Sequence, residues 1–273
     1  MRLTVVKRVT VGASLAVSAA ACGVSQQQEV EMGAQYSQQI NAQLPIITDP
    51  LVNQYINTLG QQLVRVADTR GLEWHFYVVN SPDVNAFAVP GGYIYVNRGL
   101  IERSERMDQV AGVLGHEIGH VTRRHSVKQM EQQNGAQIGI TVGCVLQPSI
   151  CNSGLGSTAV NVLGQAVFAK FSRNDEAEAD QAGIEYTTKA GIDPRGIPEM
   201  FQILLDERQS RPGAVDAWFA THPLEENRIR DTQSTISRYN VTQLNQLSRD
   251  TQSFQTFKAR VRSLPQAPQQ RTR

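Results

Sequence analysis

The feature that most constrains this chain is the run His116-Glu117-Ile118-Gly119-His120, set among apolar residues that recur at helical spacing. Val110, Leu114, Ile118 and Val121 fall on one side of a predicted long helix over 104–130. A spacing of four puts both imidazoles on one helix face, about 40° apart. Their nitrogens can then reach one zinc ion at roughly 2.0–2.1 Å. Glu117 lies beside that face, where it can act as a general base on a water activated by the metal.

A catalytic zinc needs a third protein ligand and one open position. The metzincin spacing would place Gly at 123 and His at 126, but the chain has Arg123 and Ser126. His125 lies about 140° round the predicted helix from His120 and is excluded on that phase. The third ligand is therefore expected from a downstream acid. Glu176-Ala177-Glu178-Ala179-Asp180 is the best candidate, on a predicted helix over 172–190. Glu176 and Asp180 are four apart and share a face, whereas Glu178 points roughly the opposite way. Glu176 is expected to bind the metal and Asp180 to accept an imidazole N–H and orient that ring. Ala177, Ala179, Ala182 and Gly183 are small enough to let the two helices lie close.

Elsewhere, Leu51, Val52, Tyr55, Ile56, Leu59, Leu63 and Val66 mark a helix opened by Asp49-Pro50. Residues 74–79, 86–89 and 93–96 read as strands, the last two joined through Pro90-Gly91-Gly92. The strand Tyr93 to Val96 is a candidate edge for an extended substrate, with ordinary sheet core as the alternative. Residues 196–210 form a further helix. The stretch from 132 to 169 carries no charge and reads as a covered helical hairpin or a mobile cover over the site.

The first residues carry a targeting pattern. Arg2, Lys7 and Arg8 precede an uncharged apolar run from Val9 to Ala21, followed by Cys22. Cleavage before Cys22, with lipid on that cysteine, is the expected processing. A formal charge of +1 over 273 residues, or −2 once residues 1–21 are removed, gives no basic field for nucleic acid. Cys144 and Cys151 would then be the only free thiols in an oxidising compartment, and they are expected to pair. Two alkylatable thiols in the unreduced, denatured protein would contradict that pairing. The expected organisation is a signal peptide at 1–21, a polar leader and helix at 22–43, a metal-dependent domain at 44–235 and a polar tail at 236–273.

HEIGH at 116–120 and SRNDEAEAD at 172–180 resemble the HtpX/Oma/BepA-type zinc metalloprotease family. NAFAVPGGYIYVNRGLI at 85–101 and THPLEENRI at 221–229 match its remaining motifs in order. The resemblance extends to the family's periplasmic lipoprotein members. It implies an α+β, mostly helical gluzincin fold with a small sheet beside the HExxH helix, and one Zn2+ per chain. It implies His116, His120 and Glu176 as ligands, Glu117 as base and Asp180 as the supporting acid. His222, held extended by Pro223, is expected to face the site as an oxyanion donor or a resting ligand.

The activity implied is endopeptidase cleavage of unfolded or misfolded periplasmic and outer-membrane proteins, with outer-membrane assembly proteins as further partners. Gly23 after Cys22 implies an outer-membrane anchor facing the periplasm. The alternatives are a chaperone-like or assembly factor with a mostly closed site, and a metallo-aminopeptidase. Retention of Glu117 favours an enzyme, since a binding module has no use for a base.

Overall fold

The computed structural model describes residues 23–132, 170–223 and 226–266. Helix α1 (Gln26–Gln43) opens on a Ser25–Gln28 capping box. In helix α2 (Pro50–Ala67), Asp49 accepts hydrogen bonds from the Leu51 and Val52 amides, and Pro50 occupies the first turn, where its missing N–H costs nothing. Val52, Ile56, Leu59 and Leu63 recur at helical spacing and form its buried face.

Strands β1 (His75–Val79), β2 (Ala86–Val89) and β3 (Tyr93–Asn97) form one sheet in the order β1-β3-β2. β3 pairs in parallel with β1 and antiparallel with β2. Strand periodicity sorts the sheet into two faces. Phe76, Val78, Ala86, Ala88, Ile94 and Val96 join the main core with α2 and the HExxH helix. Tyr77, Val79, Phe87, Val89, Tyr93 and Tyr95 form a second layer under Met32, Tyr36 and Ile40 of α1. Burial pushes the Tyr95 hydroxyl up to about 12, and that hydroxyl lies 2.9 Å from Ser37 Oγ.

The order of strands corrects the expectation for Tyr93 to Val96. β3 has a neighbour on both sides, so it is sheet core, and the edge beside the site is β2. The reason is the parallel crossover that returns β1 to β3, a long-range pairing that local pattern does not encode.

A short helix α3 (Arg98–Arg103) precedes α4 (Met107–Thr122), which carries HExxH. The single helix expected over 104–130 is therefore divided. Arg124 takes a left-handed conformation (φ 59°), and residues 125–132 continue helically in a new direction. Helix α5 (Arg173–Lys189) is capped by Ser172 and carries the acidic run. It packs on α4 through glycine and alanine. A Cβ built on Gly119 would stand 3.1 Å from Ala179 Cα, and one on Gly183 would stand 3.2 Å from the His116 nitrogen. Ala179, Ala182 and Gly183 face this contact, while Ala177 is exposed.

Helix α6 (Gly196–Ser210) packs mainly on α4, the short helix α7 (Asp216–Thr221) follows it, and helix α8 (Glu226–Ile236) packs on α6 and α5. The stretch expected as a polar tail contains helices α9 (Val241–Leu244) and α10 (Gln252–Ser263). Phe254, Phe257 and Val261 of α10 are buried, and Tyr55 of α2 stacks on Phe257 with ring centroids 4.4 Å apart. Three apolar residues at i, i+3 and i+7 suffice to dock a helix that is otherwise polar. Among the described residues, no helix is long and apolar enough to cross a membrane. Cys22, Cys144, Cys151 and the uncharged segment lie outside the described residues, apart from Gln132 at its start.

Candidate metal centre

Helix α4 presents His116 and His120 one turn apart, and α5 crosses it closely enough to bring Glu176 between them. His116 Nε2 and His120 Nε2 are 3.0 Å apart. Glu176 Oε1 lies 3.4 Å from His120 Nε2, and Glu176 Oε2 lies 3.7 Å from His116 Nε2. His222 is the residue that ends α7, and it is buried, not a surface-loop histidine. Its Nδ1 stands 3.1 Å from Glu176 Oε1 and 3.4 Å from His116 Nε2.

One donor atom from each of His116, His120, Glu176 and His222 lies within 4.8 Å of every other. A tetrahedron with metal bonds of 2.0–2.1 Å has edges of about 3.4 Å. The measured separations bracket that value, and three nitrogens with one carboxylate oxygen suit zinc. Residues His116, Glu117, His120, Glu176 and His222 are each no more than 1% exposed.

The surroundings hold the donors in place. His116 Nδ1 lies 2.9 Å from Asp180 Oδ1, one turn beyond Glu176 on the same face of α5. Arg228 of α8 donates to Asp180 from Nε (2.9 Å) and Nη2 (2.6 Å), and from Nη1 to Glu176 and to the Pro223 carbonyl. Its guanidinium lies over the Phe201 ring. The Phe171 ring stacks on His120 at 3.9 Å, and Trp218 lies 4.6 Å from His222. Glu178, expected to point away, does not reach the donors. Its Oε2 instead lies 3.3 Å from His125 Nε2.

His125 is outside the donor group, as its helical phase predicts, but it is fully buried beside it, with Nδ1 2.9 Å from His120 Nδ1. The contact with His120 arises because the left-handed Arg124 interrupts the helical phase between the two residues. Arg228 carried no signal of its own beyond its place in THPLEENRI.

Burial shapes the electrostatics first. It raises the Glu117 carboxyl above the usual carboxylate range, against the opposing pull of His222 and His116. Burial likewise holds His120 well below the usual imidazole range. Burial would raise Glu176 too, but His222, His120 and Arg228 outweigh it and hold the carboxyl well below its ordinary value. For His222, burial opposes the charged form, and the Glu176 and Glu117 carboxylates win and raise it. Both Glu117 oxygens and His222 Nε2 are buried without a hydrogen-bond partner, 3.5 Å apart at their closest. A buried carboxylate with no close hydrogen bond, beside a four-donor cluster, is an expensive arrangement that a metal and its substrate would relieve.

A donor cage of this kind, with a buried carboxylate alongside, is the arrangement a zinc metallopeptidase requires. Comparison with known proteins agrees: residues 50–236 match the model of peptidase family M48. The beta-barrel assembly-enhancing protease of Escherichia coli K12 is 34% identical over 218 residues, 77% of this chain and 44% of that protein. Its Yersinia pestis counterpart is 34% identical over 228 residues, 81% of this chain and 46% of that protein. Mitochondrial metalloendopeptidase OMA1 of Schizosaccharomyces pombe is 27% identical over 183 residues, 67% of this chain and 52% of that protein. The chain belongs to peptidase family M48, whose members use zinc. It spans about half the length of these relatives.

Proposed function

We propose that this chain is a zinc-dependent endopeptidase of the bacterial cell envelope that cleaves unfolded or misfolded proteins. The observation that carries the reading is the buried Glu117 carboxylate, 3.5 Å from His222 Nε2 at its closest, beside the His116, His120, Glu176 and His222 donors. Bound zinc supplies a Lewis acid that polarises a carbonyl and lowers the pKa of water. His116, His120 and Glu176 would hold it. Glu117, whose carboxyl burial raises above its ordinary range, takes the proton of the attacking water and delivers it to the leaving amine. Asp180 accepts the His116 Nδ1–H and fixes that ring, and Arg228 fixes Asp180 and Glu176 together. The edge strand β2 lies against α4 and is the proposed seat of an extended substrate, read mainly through its backbone.

The envelope assignment rests on the targeting pattern at residues 1–22 and on the assembly-enhancing proteases that the chain resembles. A lipid on Cys22 and an outer-membrane anchor facing the periplasm belong to the same proposal. Cys22→Ser should release the protein from the membrane fraction, and unchanged partition would contradict the anchor.

A second reading, an assembly factor with a mostly closed site, is favoured by one observation: His222 Nδ1 stands where a fourth ligand would be. His222 is then a resting ligand that must swing away before substrate enters. His222→Ala would keep zinc and cleave at an equal or higher rate. A loss of rate with zinc retained would instead make His222 the oxyanion donor.

The reading as a whole is tested by cleavage of an unfolded protein with and without chelator, and by Glu117→Gln. That variant should keep zinc and lose 10²–10⁴ in rate. Near-normal turnover would sink the protease reading. Cleavage sites inside the client, mapped by mass spectrometry, separate an endopeptidase from an aminopeptidase.

A further inference from the structure

The two paired imidazoles of α4 are supported differently. His116 has a carboxylate at its outer nitrogen, Asp180. His120 has another histidine: its Nδ1 lies 2.9 Å from Nδ1 of His125. His125 is fully buried, and its own Nε2 lies 3.3 Å from Glu178 Oε2 and 3.8 Å from Asp175 Oδ1. Phe171 packs against both rings, with centroids 3.9 Å from His120 and 6.2 Å from His125.

Chemistry sets the direction of this chain of hydrogen bonds. A neutral imidazole that offers Nε2 to a metal carries its proton on Nδ1. Among the described residues, the acceptor that faces His120 Nδ1–H is a ring nitrogen, His125 Nδ1. His125 must accept there, which puts its own proton on Nε2, toward Glu178 and Asp175. The backbone is built to deliver this contact. Arg124, in the left-handed region, ends α4 and folds His125 back against His120. The Arg124 guanidinium is tied by a 2.8 Å contact to Glu29, a buried carboxylate of α1 that also pairs with Arg70 at 2.9 Å.

We propose that His125 is a positioning residue for His120, fixing its ring and tautomer for metal binding through a His120–His125–Glu178 relay. The inference rests on the metal centre proposed above. Asp180 and His125 thus support the two α4 histidines by different chemistry, one through a charged acceptor and the other through a neutral one. Glu178, half exposed, opens the far end of the relay to solvent.

The test is the zinc affinity of the full chain, measured by competition with a chromophoric chelator, for wild type, His125→Phe and His125→Asn. Phenylalanine fills the space without an acceptor, whereas asparagine places its amide oxygen near where Nδ1 stands. Loss of an outer partner of a metal ligand typically costs 10–100-fold in affinity, so His125→Phe should lose about that much and His125→Asn no more than about threefold. Wild-type affinity in His125→Phe would overturn the proposal, and so would equal losses in both variants. Should neither variant fold, the ring nitrogen resonances of the zinc-loaded wild type decide. His125 is expected to show a bare Nδ1 and a protonated Nε2, and a proton on its Nδ1 would overturn the relay. A wild-type chain that takes up no zinc would sink the metal centre itself, a result distinct from any of these.

Discussion

The α4–α5 contact and the α2–α10 contact are both buried, yet they are made of opposite materials. Between α4 and α5 the backbones approach until Gly119 and Gly183 have almost no room for a Cβ. The side chains left to fill the remaining space are His116, His120, Glu176 and Asp180, bound to one another and to Arg228. Between α2 and α10 the filling is aromatic: Tyr55, Phe254 and Phe257 interlock with centroids between 4.4 and 6.2 Å apart. The first contact positions charges and would be poor at stabilising a fold by itself. The second buries large apolar area and places no chemistry. The α4–α5 region can therefore hold the buried Glu117 carboxylate because packing elsewhere, α10 included, keeps the domain folded.

Substitutions on each side should break this division cleanly. The largest effect is expected from Phe254→Ala, which removes a fully buried ring from the α2–α10 contact. It should cost about 3–5 kcal/mol in denaturant unfolding. Zinc affinity of the still-folded variant should match wild type, and a large loss would show that the two regions are not separate.

Next comes Glu176→Gln, which should weaken zinc by more than about 100-fold, beyond the 10–100-fold typical of losing an outer partner. Glu178→Gln, at the exposed end of the His125 relay, should fall at or below the lower end of that range. Equal metal loss in the two purified variants would mean that the face of α5 is misassigned. The smallest effect is expected from Gly183→Ala. Its Cβ would press on the His116 backbone nitrogen at 3.2 Å. Overpacking of about 1–3 kcal/mol is partly offset by the roughly 1 kcal/mol that alanine gains over glycine in a helix. A net gain in stability would show that the helices can part.

The same contrast explains what could be read from the sequence. HEIGH and the acidic run lie within single helices, so a period of 3.6 places Glu176 and Asp180 on one face without knowledge of the rest of the fold. His125 escaped because one left-handed residue, Arg124, resets the phase just where the wheel was extended. Tyr93 to Val96 was legible as a strand but not as the central one, since strand order depends on a crossover. Helix α10 was hidden by its composition: glutamine, serine and arginine outnumber the apolar residues that dock it. Arg228 could not be singled out because its partners lie about 50 residues away, on α5.

Buried donors on α4 and α5, with His222 beside them, are proposed to hold one zinc next to the buried Glu117 carboxylate. The most direct measurement is anomalous diffraction at the zinc edge from crystals of the full chain grown with zinc, alongside metal analysis of the same protein. The account predicts one zinc per chain and a single strong peak between His116, His120 and Glu176. A peak elsewhere, or none at a protein concentration far above that needed to bind, would contradict it.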